Sequence, residues 1–404
     1  MSEQERGKKN RPAVQHQAIQ QPPAVPAKAH KIRRYYDYSL LFAVILISII
    51  GLLMIYSSSQ YTALLEHGGK AYYYFERQAI IGGVGLFVAL FISLFDYHWM
   101  KHLAWVGYGL AIGLLLLTVF LGVASHGATR WIRIAGFQFQ PTELAKVALI
   151  VFLAAMISKL GYYVNQQGNI LRLIFFAFWP TFFVLRENLS SGIILAGITF
   201  IMLFVACRKW KWFVALGSAA LAAVIAAKPL AGMLITHFNL ARPEHYQLRR
   251  IFGWALPERF PDDAFQTLQG LYAIGSGGIT GQGLGESIQK FGKLPEAQND
   301  MIFSIICEEL GLIGAIAVVF LFLFIIYRLT QIAINAPDLF GSLLCVGVMA
   351  HLSIQVILNI AVVTGVIPNT GVTLPFISYG GSAVLFTMIE IGIALSVAHR
   401  IRLE

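Results

Sequence analysis

The sequence predicts an all-α, polytopic membrane protein with about ten transmembrane helices. Composition comes first: of 404 residues 57% are hydrophobic and 12% charged, with a mean hydropathy of +0.69, far more apolar than a soluble domain needs. Ten apolar runs, each close to the length that crosses a bilayer core of about 30 Å, come second. Third, basic residues gather in the tail and in alternate short loops, so the net charge of +10 reads as membrane orientation and not as nucleic-acid binding. Cys207, Cys307 and Cys345 stand singly in or beside apolar segments, which excludes a disulfide framework and a zinc site.

Residues 1–34 are rich in Gln, Pro, Ala, Lys and Arg without hydrophobic periodicity, and read as a disordered cytoplasmic tail. The remainder, 35–404, reads as one membrane domain. The run 38–56 is long for a signal-peptide core and no small-residue cleavage site follows, so it is expected to stay as an anchor. Further spans are expected near 78–95, 103–124, 142–159, 170–185, 190–206, 212–235, 301–327, 340–363 and 381–398. An even number puts both termini on one side. Arg33, Arg34, Lys101, Lys159, Arg208, Lys209, Lys211, Arg328, Arg400 and Arg402 then share that side, which the positive-inside rule makes cytoplasmic. Residues 57–77, 125–141, the long loop 236–300 and 364–380 face outward in consequence.

Asp300 ends the stretch KFGKLPEAQND and stands at the first turn of the eighth span, where a helix dipole favours a carboxylate. A helix cap and a functional group are both open readings of it. Arg130 and Arg133, in HGATRWIRIAG, and Arg242, Arg249 and Arg250, in ARPEHYQLRRIFGW, are cations on the outward side. They read either as interfacial anchors or as a phosphate clamp, a task guanidinium forks suit.

Ionisable residues inside spans cost several kcal/mol unless paired or wet. Glu143 and Lys146, three apart in QPTELAKVAL, share a helix face and can pair. Glu308 lies about 12 Å deeper than Asp300 on an ideal helix and could line the same cavity. Glu309 and Glu390 read as interhelical hydrogen-bonding groups. GSGGITGQGLGES, Gly275 to Ser287, lacks the spacing, the strand and the lysine of a nucleotide loop, which leaves a mobile outward loop or a cover over substrate. TGVIPNTGVTLPFISYGGSA, Thr364 to Ala383, breaks helix geometry before the tenth span and reads as a re-entrant-like segment lining a cavity. Its SYGGS turn, with Ser378, Gly380 and Gly381, ends at a helix N-terminus able to hold an anion.

GVTLPFISYGGSA, KLPEAQNDMIFSIICEELGLIG, GATRWIRI and QPTELAK together resemble the SEDS family of bacterial wall proteins, represented by FtsW, RodA and SpoVE. The match runs over essentially the whole chain after the tail, and Thr373 in GVTLPF is similar to the division and sporulation branch. The resemblance implies a peptidoglycan glycosyltransferase in the bacterial cytoplasmic membrane. It would polymerise lipid II into glycan strands at the outer face, beside a class B penicillin-binding protein and other division proteins. It implies that Asp300 is the family's essential Asp, and that Arg130, Lys146 and Arg249 or Arg250 bind the lipid pyrophosphate. Two positions depart from the family: ENLSSGII replaces the usual Asp-x-Gly-Thr between spans five and six, and Asn369 follows Pro368.

On this reading Asp300 is a general base, or else it ligates Mg²⁺ or Mn²⁺ bridging phosphate oxygens. No organic cofactor is expected. Glu143, Ser378, Gly380 and Gly381 join the cations as candidate substrate-binding residues. A lipid II flippase, suited by the intramembrane charges and the broken segment, and a non-catalytic division scaffold are the rival readings.

Overall fold

The computed structural model describes residues 36–121, 123–125, 128–134 and 137–402. The expected tail at 1–34 lies outside them. Among the described residues ten helices are long and apolar enough to cross a membrane. In chain order they are α1 (Tyr38–Glu66), α2 (Tyr73–Leu94), α3 (His98–Leu121), α4 (Pro141–Leu160), α5 (Gln167–Glu187), α6 (Leu189–Ala206), α7 (Trp210–His237), α10 (Ile302–Ile334), α11 (Leu339–Val363) and α12 (Gly381–Ala398). The expected outward loop between α7 and α10 is partly helical, containing α8 (Tyr246–Ala255) and α9 (Pro261–Gly277). One addition to the all-helical plan is a small antiparallel sheet between α3 and α4: β1 (Val123–Ser125), β2 (Ala128–Ile134) and β3 (Phe137–Phe139), in the order β1-β2-β3. Its register pairs Val123 with Trp131 and Ile132 with Phe139.

Helices α4, α6, α11 and α12 form the interior, and α12 is the most buried. At the opposite extreme, no residue in the spanning window of α7 is buried, and this helix stands off the bundle. Its C-terminal end makes a separate small core with α8 and the start of α9, built on Ile235, Trp254, Ala255 and Phe260. Helix α1 runs ten residues past its expected end; Ser57, Ser58 and Ser59 are buried there, and Ser57 Oγ accepts from Lys290 Nζ of the loop before α10 at 3.1 Å. Its start is tied down as well: Asp37 accepts from the Leu40 amide at 2.9 Å and pairs with Arg328 of α10 at 2.8 Å.

Helix α10 is broken at Gly311, whose φ of 66° and ψ of −167° leave the helical region. Residues 278–283 fill the break. Gln282 N–H donates to Glu308 O at 2.9 Å and Gly283 N–H to Glu309 O at 3.0 Å, while Gly278 O accepts from Leu312 N–H at 3.0 Å. The Gly-rich stretch is therefore a packed backbone insert that satisfies the groups a broken helix leaves unpaired. At two of its glycines there is no room for a side chain: a Cβ on Gly277 would lie 1.9 Å from Cys307 O, and one on Gly281 2.2 Å from Glu309 O.

The same polar accounting governs residues 364–380, where backbone outside any helix runs among apolar spans. Trp254 Nε1 donates to Gly365 O at 2.9 Å, Arg250 Nη1 to Asn369 O at 3.3 Å and Ser190 Oγ to Thr370 O at 3.0 Å. Asn359 Nδ2 reaches Val372 O at 2.7 Å, Gln355 Nε2 reaches Thr373 O at 2.9 Å, and Gln78 Nε2 reaches Ser378 O at 3.2 Å. Six carbonyls are thus matched by side chains from four helices, α2, α6, α8 and α11, which fixes the path of the segment.

Candidate active site

The loop that ends at Asp300 is held from below by two carboxylates of α10. Glu308 accepts from Ser287 Oγ at 2.5 Å and from Ile288 N–H at 3.0 Å. Glu309 accepts from Ser57 Oγ at 2.5 Å and pairs with buried Lys290 at 3.1 Å. Glu308 therefore anchors the loop and is not aimed at the Asp300 carboxyl. Glu309 makes an interhelical bond to α1, and Glu390 makes another, pairing with His351 of α11 at 2.7 Å deep between α11 and α12.

Asp300 itself is 5% exposed. It does not cap α10, for Met301 holds the N-cap position and makes no side-chain capping bond. The Asp300 peptide carbonyl accepts from Asn359 Nδ2 at 2.9 Å. Its Oδ1 lies 3.4 Å from Gln266 Nε2 of α9, a long bond, and its Oδ2 faces Gly371, where a Cβ would stand 3.8 Å away. Burial pushes its pKa up to about 7, and the charge of exposed Glu296 adds to the rise. Arg250 and the N–H groups of Asp300 and Met301 pull the other way. The result is a carboxyl that can take up or give up a proton near neutrality.

The two arginines of α8 diverge. Arg249 bonds Asp263 at 2.8 Å, and Asp263 also takes both forks of Arg242 at 2.7 Å; these bonds, Arg242 foremost, hold the Asp263 carboxyl below its usual range. Arg250 turns toward the 364–380 segment, and its charge is the one felt at Asp300. Lys146 pairs with Glu143 at 2.8 Å, both buried, so its charge is balanced. Lys146 also reaches Gln355 at 3.5 Å and through it the Thr373 carbonyl. Ser378 is engaged in framing: its hydroxyl donates to Asn299 O at 2.6 Å and accepts from Leu374 N–H at 2.7 Å. The Gly380 amide donates to Gln78 Oε1 at 3.3 Å, and Gly381 packs against Ile81 of α2. Arg130 lies in β2, and its side chain is outside the described residues, as is that of Arg133.

The structure thus brings Asp300, Arg250 and the 369–373 backbone together, with Glu143 and Lys146 one amide side chain away. Sequence reasoning passed over Gln266, Gln355 and Asn359. The available signal was the spacing of His351, Gln355 and Asn359, each four apart on one face of an otherwise apolar helix. Asn188, at the departure from Asp-x-Gly-Thr, caps α6 by accepting from Ser190 and Ser191 N–H, a role a carboxylate would fill equally. Among the described residues no group of three His, Cys, Asp or Glu side chains could hold a metal ion. Asp300 offers a single carboxylate, to which substrate phosphate oxygens could add.

Fold and site define a class: a ten-span membrane protein with a buried, neutral-range carboxyl where a spanning helix meets a helical cover and a non-helical segment. Within that class the chain belongs to the cell cycle protein family of FtsW, RodA and SpoVE, whose family model matches residues 38–403. It is 36% identical over 372 residues to stage V sporulation protein E of Bacillus subtilis, covering 90% of this chain and 97% of that protein. It is 35% identical over 384 residues to a probable peptidoglycan glycosyltransferase FtsW of Geobacter, covering 91% and 98%. Among solved structures, a chain of a peptidoglycan synthase complex that coordinates polymerization and crosslinking matches with a TM-score of 0.70 at 25% identity, covering 90% of this chain and 97% of that one. RodA of Thermus thermophilus matches with a TM-score of 0.65 at 25% identity, covering 91% and 98%.

Proposed function

We propose that this protein is a peptidoglycan glycosyltransferase that polymerises lipid II at the outer face of the bacterial cytoplasmic membrane, in division or sporulation. In the reaction a sugar hydroxyl of one lipid-linked disaccharide attacks the anomeric carbon of another chain. A glycosidic C–O bond forms, the bond to the diphosphate oxygen breaks, and polyprenyl diphosphate leaves. Asp300 takes the hydroxyl proton. The observation that carries this reading is its buried carboxyl, pushed up to about 7 and flanked by Arg250.

General-base assistance supplies about 10² to 10⁴ in rate, roughly 3 to 5 kcal/mol of barrier, so positioning and charge stabilisation must supply the remainder. Arg250 and Arg130 are assigned to the departing diphosphate. Glu143, Lys146, Ser378, Gly380 and Gly381 support the wall they face, and Arg249 holds α8 against α9. Mg²⁺ or Mn²⁺, if held by Asp300, would neutralise diphosphate charge, and Asp300 would then serve as its ligand instead of as the base. A groove of about 1020 Å³ between α7 and α8, walled by Leu221, Val224, Met233, Leu256 and Val366, suits the polyprenyl tails because α7 leaves it open to lipid. The partner is assigned as a class B penicillin-binding protein, a reading supported by the synthase complex in which a structural relative occurs.

The test is strand formation by purified protein on labelled lipid II in detergent, where no second compartment exists. Wild-type strands and a loss of about 10² to 10⁴ in Asp300→Asn support the polymerase. The broken α10 and the 364–380 segment are the features that favour a flippase, which would form no strands in this assay.

A further inference from the structure

The Asp300 carboxyl is the reacting group of the proposed polymerase, yet few contacts fix where it points. Gln266 reaches it only at 3.4 Å, and its other oxygen faces a glycine. The peptide carrying it is held by a long bond from Met301 N–H to Glu296 O at 3.4 Å and by one buried side chain of α11. Asn359 is 0% exposed, and its Nδ2 lies 2.9 Å from Asp300 O and 2.7 Å from Val372 O. Both partners are carbonyls, so the amide orientation follows from the network. Val372 directly follows Gly371, the residue that faces Asp300 Oδ2. The backbone on both sides of the carboxyl is thereby tied to one nitrogen on a rigid helix.

We propose that Asn359 is a positioning residue for the Asp300 base, its two N–H groups clamping the Asp300 peptide and the 371–372 backbone at the separation the reaction needs. This rests on the glycosyltransferase reading above. The choice of residue has a chemical reason. A single nitrogen with two N–H donors serves two carbonyls at once; aspartate of the same shape has none, serine has one hydroxyl donor, and glutamine is a methylene too long for the same place. Asn359 Oδ1 is buried with no hydrogen-bond partner among the described residues, so what the side chain contributes lies on its nitrogen. Neighbouring ties act elsewhere: Ser378 Oγ holds Asn299 O at 2.6 Å, and the Tyr379 amide donates to Gln298 O at 2.9 Å. Among the described hydrogen bonds, the one from Asn359 is the bond to the Asp300 carbonyl.

A clamp of this kind sets the aim of the base without contacting the lipid, so its loss should appear in turnover and not in substrate affinity. A misplacement of about 1 Å costs about a hundredfold in rate. The test is steady-state polymerisation of lipid II by full-length protein with its partner, with thermal unfolding measured on the same preparations. Asn359→Ala is expected to lower kcat about a hundredfold with KM within about twofold, and Asn359→Ser, which keeps one donor, to fall between. Trp254→Phe removes a donor from the same segment at Gly365 O and is expected to lower the melting temperature with kcat within about threefold of wild type. Normal kcat in Asn359→Ser together with normal kcat in Asn359→Ala overturns the proposal. So does a loss in both Asn359 variants that is matched by Trp254→Phe, since that would be a general loosening of the segment. If Asn359→Ala does not fold, the serine variant decides by the same kcat-against-KM comparison. Asp300→Asn in the same assay separates the levels: full activity there removes the polymerase reading itself, whereas an inactive Asp300→Asn beside an unimpaired Asn359→Ala removes this inference alone.

Discussion

At neutral pH the Asp300 carboxyl is divided between its protonated and ionised forms, and that division ties activity to stability. A base works as the carboxylate, so turnover should climb as pH rises through about 7 and level off above it. Stability runs the opposite way. The folded-state pKa stands above the unfolded value of about 3.9, so between the two the fold binds more protons than the unfolded chain and loses stability as pH rises; the loss is complete above about 7. Asp300→Asn should therefore melt higher than wild type at pH 8, with the difference shrinking toward pH 4, while the variant polymerises little at any pH. Thermal unfolding across that range checks it, and equal melting temperatures at pH 8 would contradict the burial argument. Asp300 was legible in the sequence because a charge beside a long apolar run violates hydropathy. Gln266, Gln355 and Asn359 were not, since a neutral amide in an apolar helix barely changes the hydropathy sum and shows its purpose only once two backbones meet at it.

Elements in this protein are defined as much by what fills their breaks as by their own propensity. Helix α10 would be a continuous apolar rod by composition, yet it opens at Gly311 to receive residues 278–283. The glycines of GSGGITGQGLGES could be read locally only as loop, because the feature that requires them is a helix thirty residues later. Two of them make opposite predictions. Gly277 has no space for a side chain, with a Cβ falling 1.9 Å from Cys307 O, so Gly277→Ala should destabilise by at least ~1–3 kcal/mol and unseat the insert. Gly275, in α9, has nothing within 4 Å of its Cβ position, so Gly275→Ala should be neutral or stabilising by roughly 0.5–1 kcal/mol. Unfolding of the two variants in detergent separates a sequence that is glycine-rich for flexibility, where both changes would act alike, from one that is glycine-rich for close approach. The re-entrant-like reading of 364–380 was within reach of the sequence, because proline and glycine interrupt an apolar run there; the side chains that hold its carbonyls were not.

Across the whole molecule the ten spans were legible because apolar runs of bilayer length are hard to mistake, and their ends were less so because helices such as α1 continue into polar residues that pack on neighbouring loops. The standing-off of α7 had no sequence mark, since an apolar helix facing lipid and one facing protein have similar compositions. The arrangement separates two faces. On one, Asp37 pairs with Arg328, and His98 lies 2.6 Å from both Asp96 and Asp338, with Arg400 3.4 Å from Asp96, so the first helix start, two short loops and the C-terminal end are laced together. On the other lie Asp300, Arg250 and the 364–380 segment. The basic loops belong to the first face, so the positive-inside rule predicts that this face is cytoplasmic and, on the proposed function, that the site meets lipid-linked sugar in the outer leaflet. The native Cys207, Cys307 and Cys345 are buried, so single introduced cysteines can report this with a membrane-impermeant maleimide. Lys293→Cys, exposed in the loop before Asp300, should label in intact cells; Lys209→Cys, exposed between α6 and α7, should label only after permeabilisation. The reverse pattern would place Asp300 on the cytoplasmic side, where strands made at the site would have no route to the wall, and polymerisation at the outer face would have to be abandoned whatever the chemistry of the carboxyl.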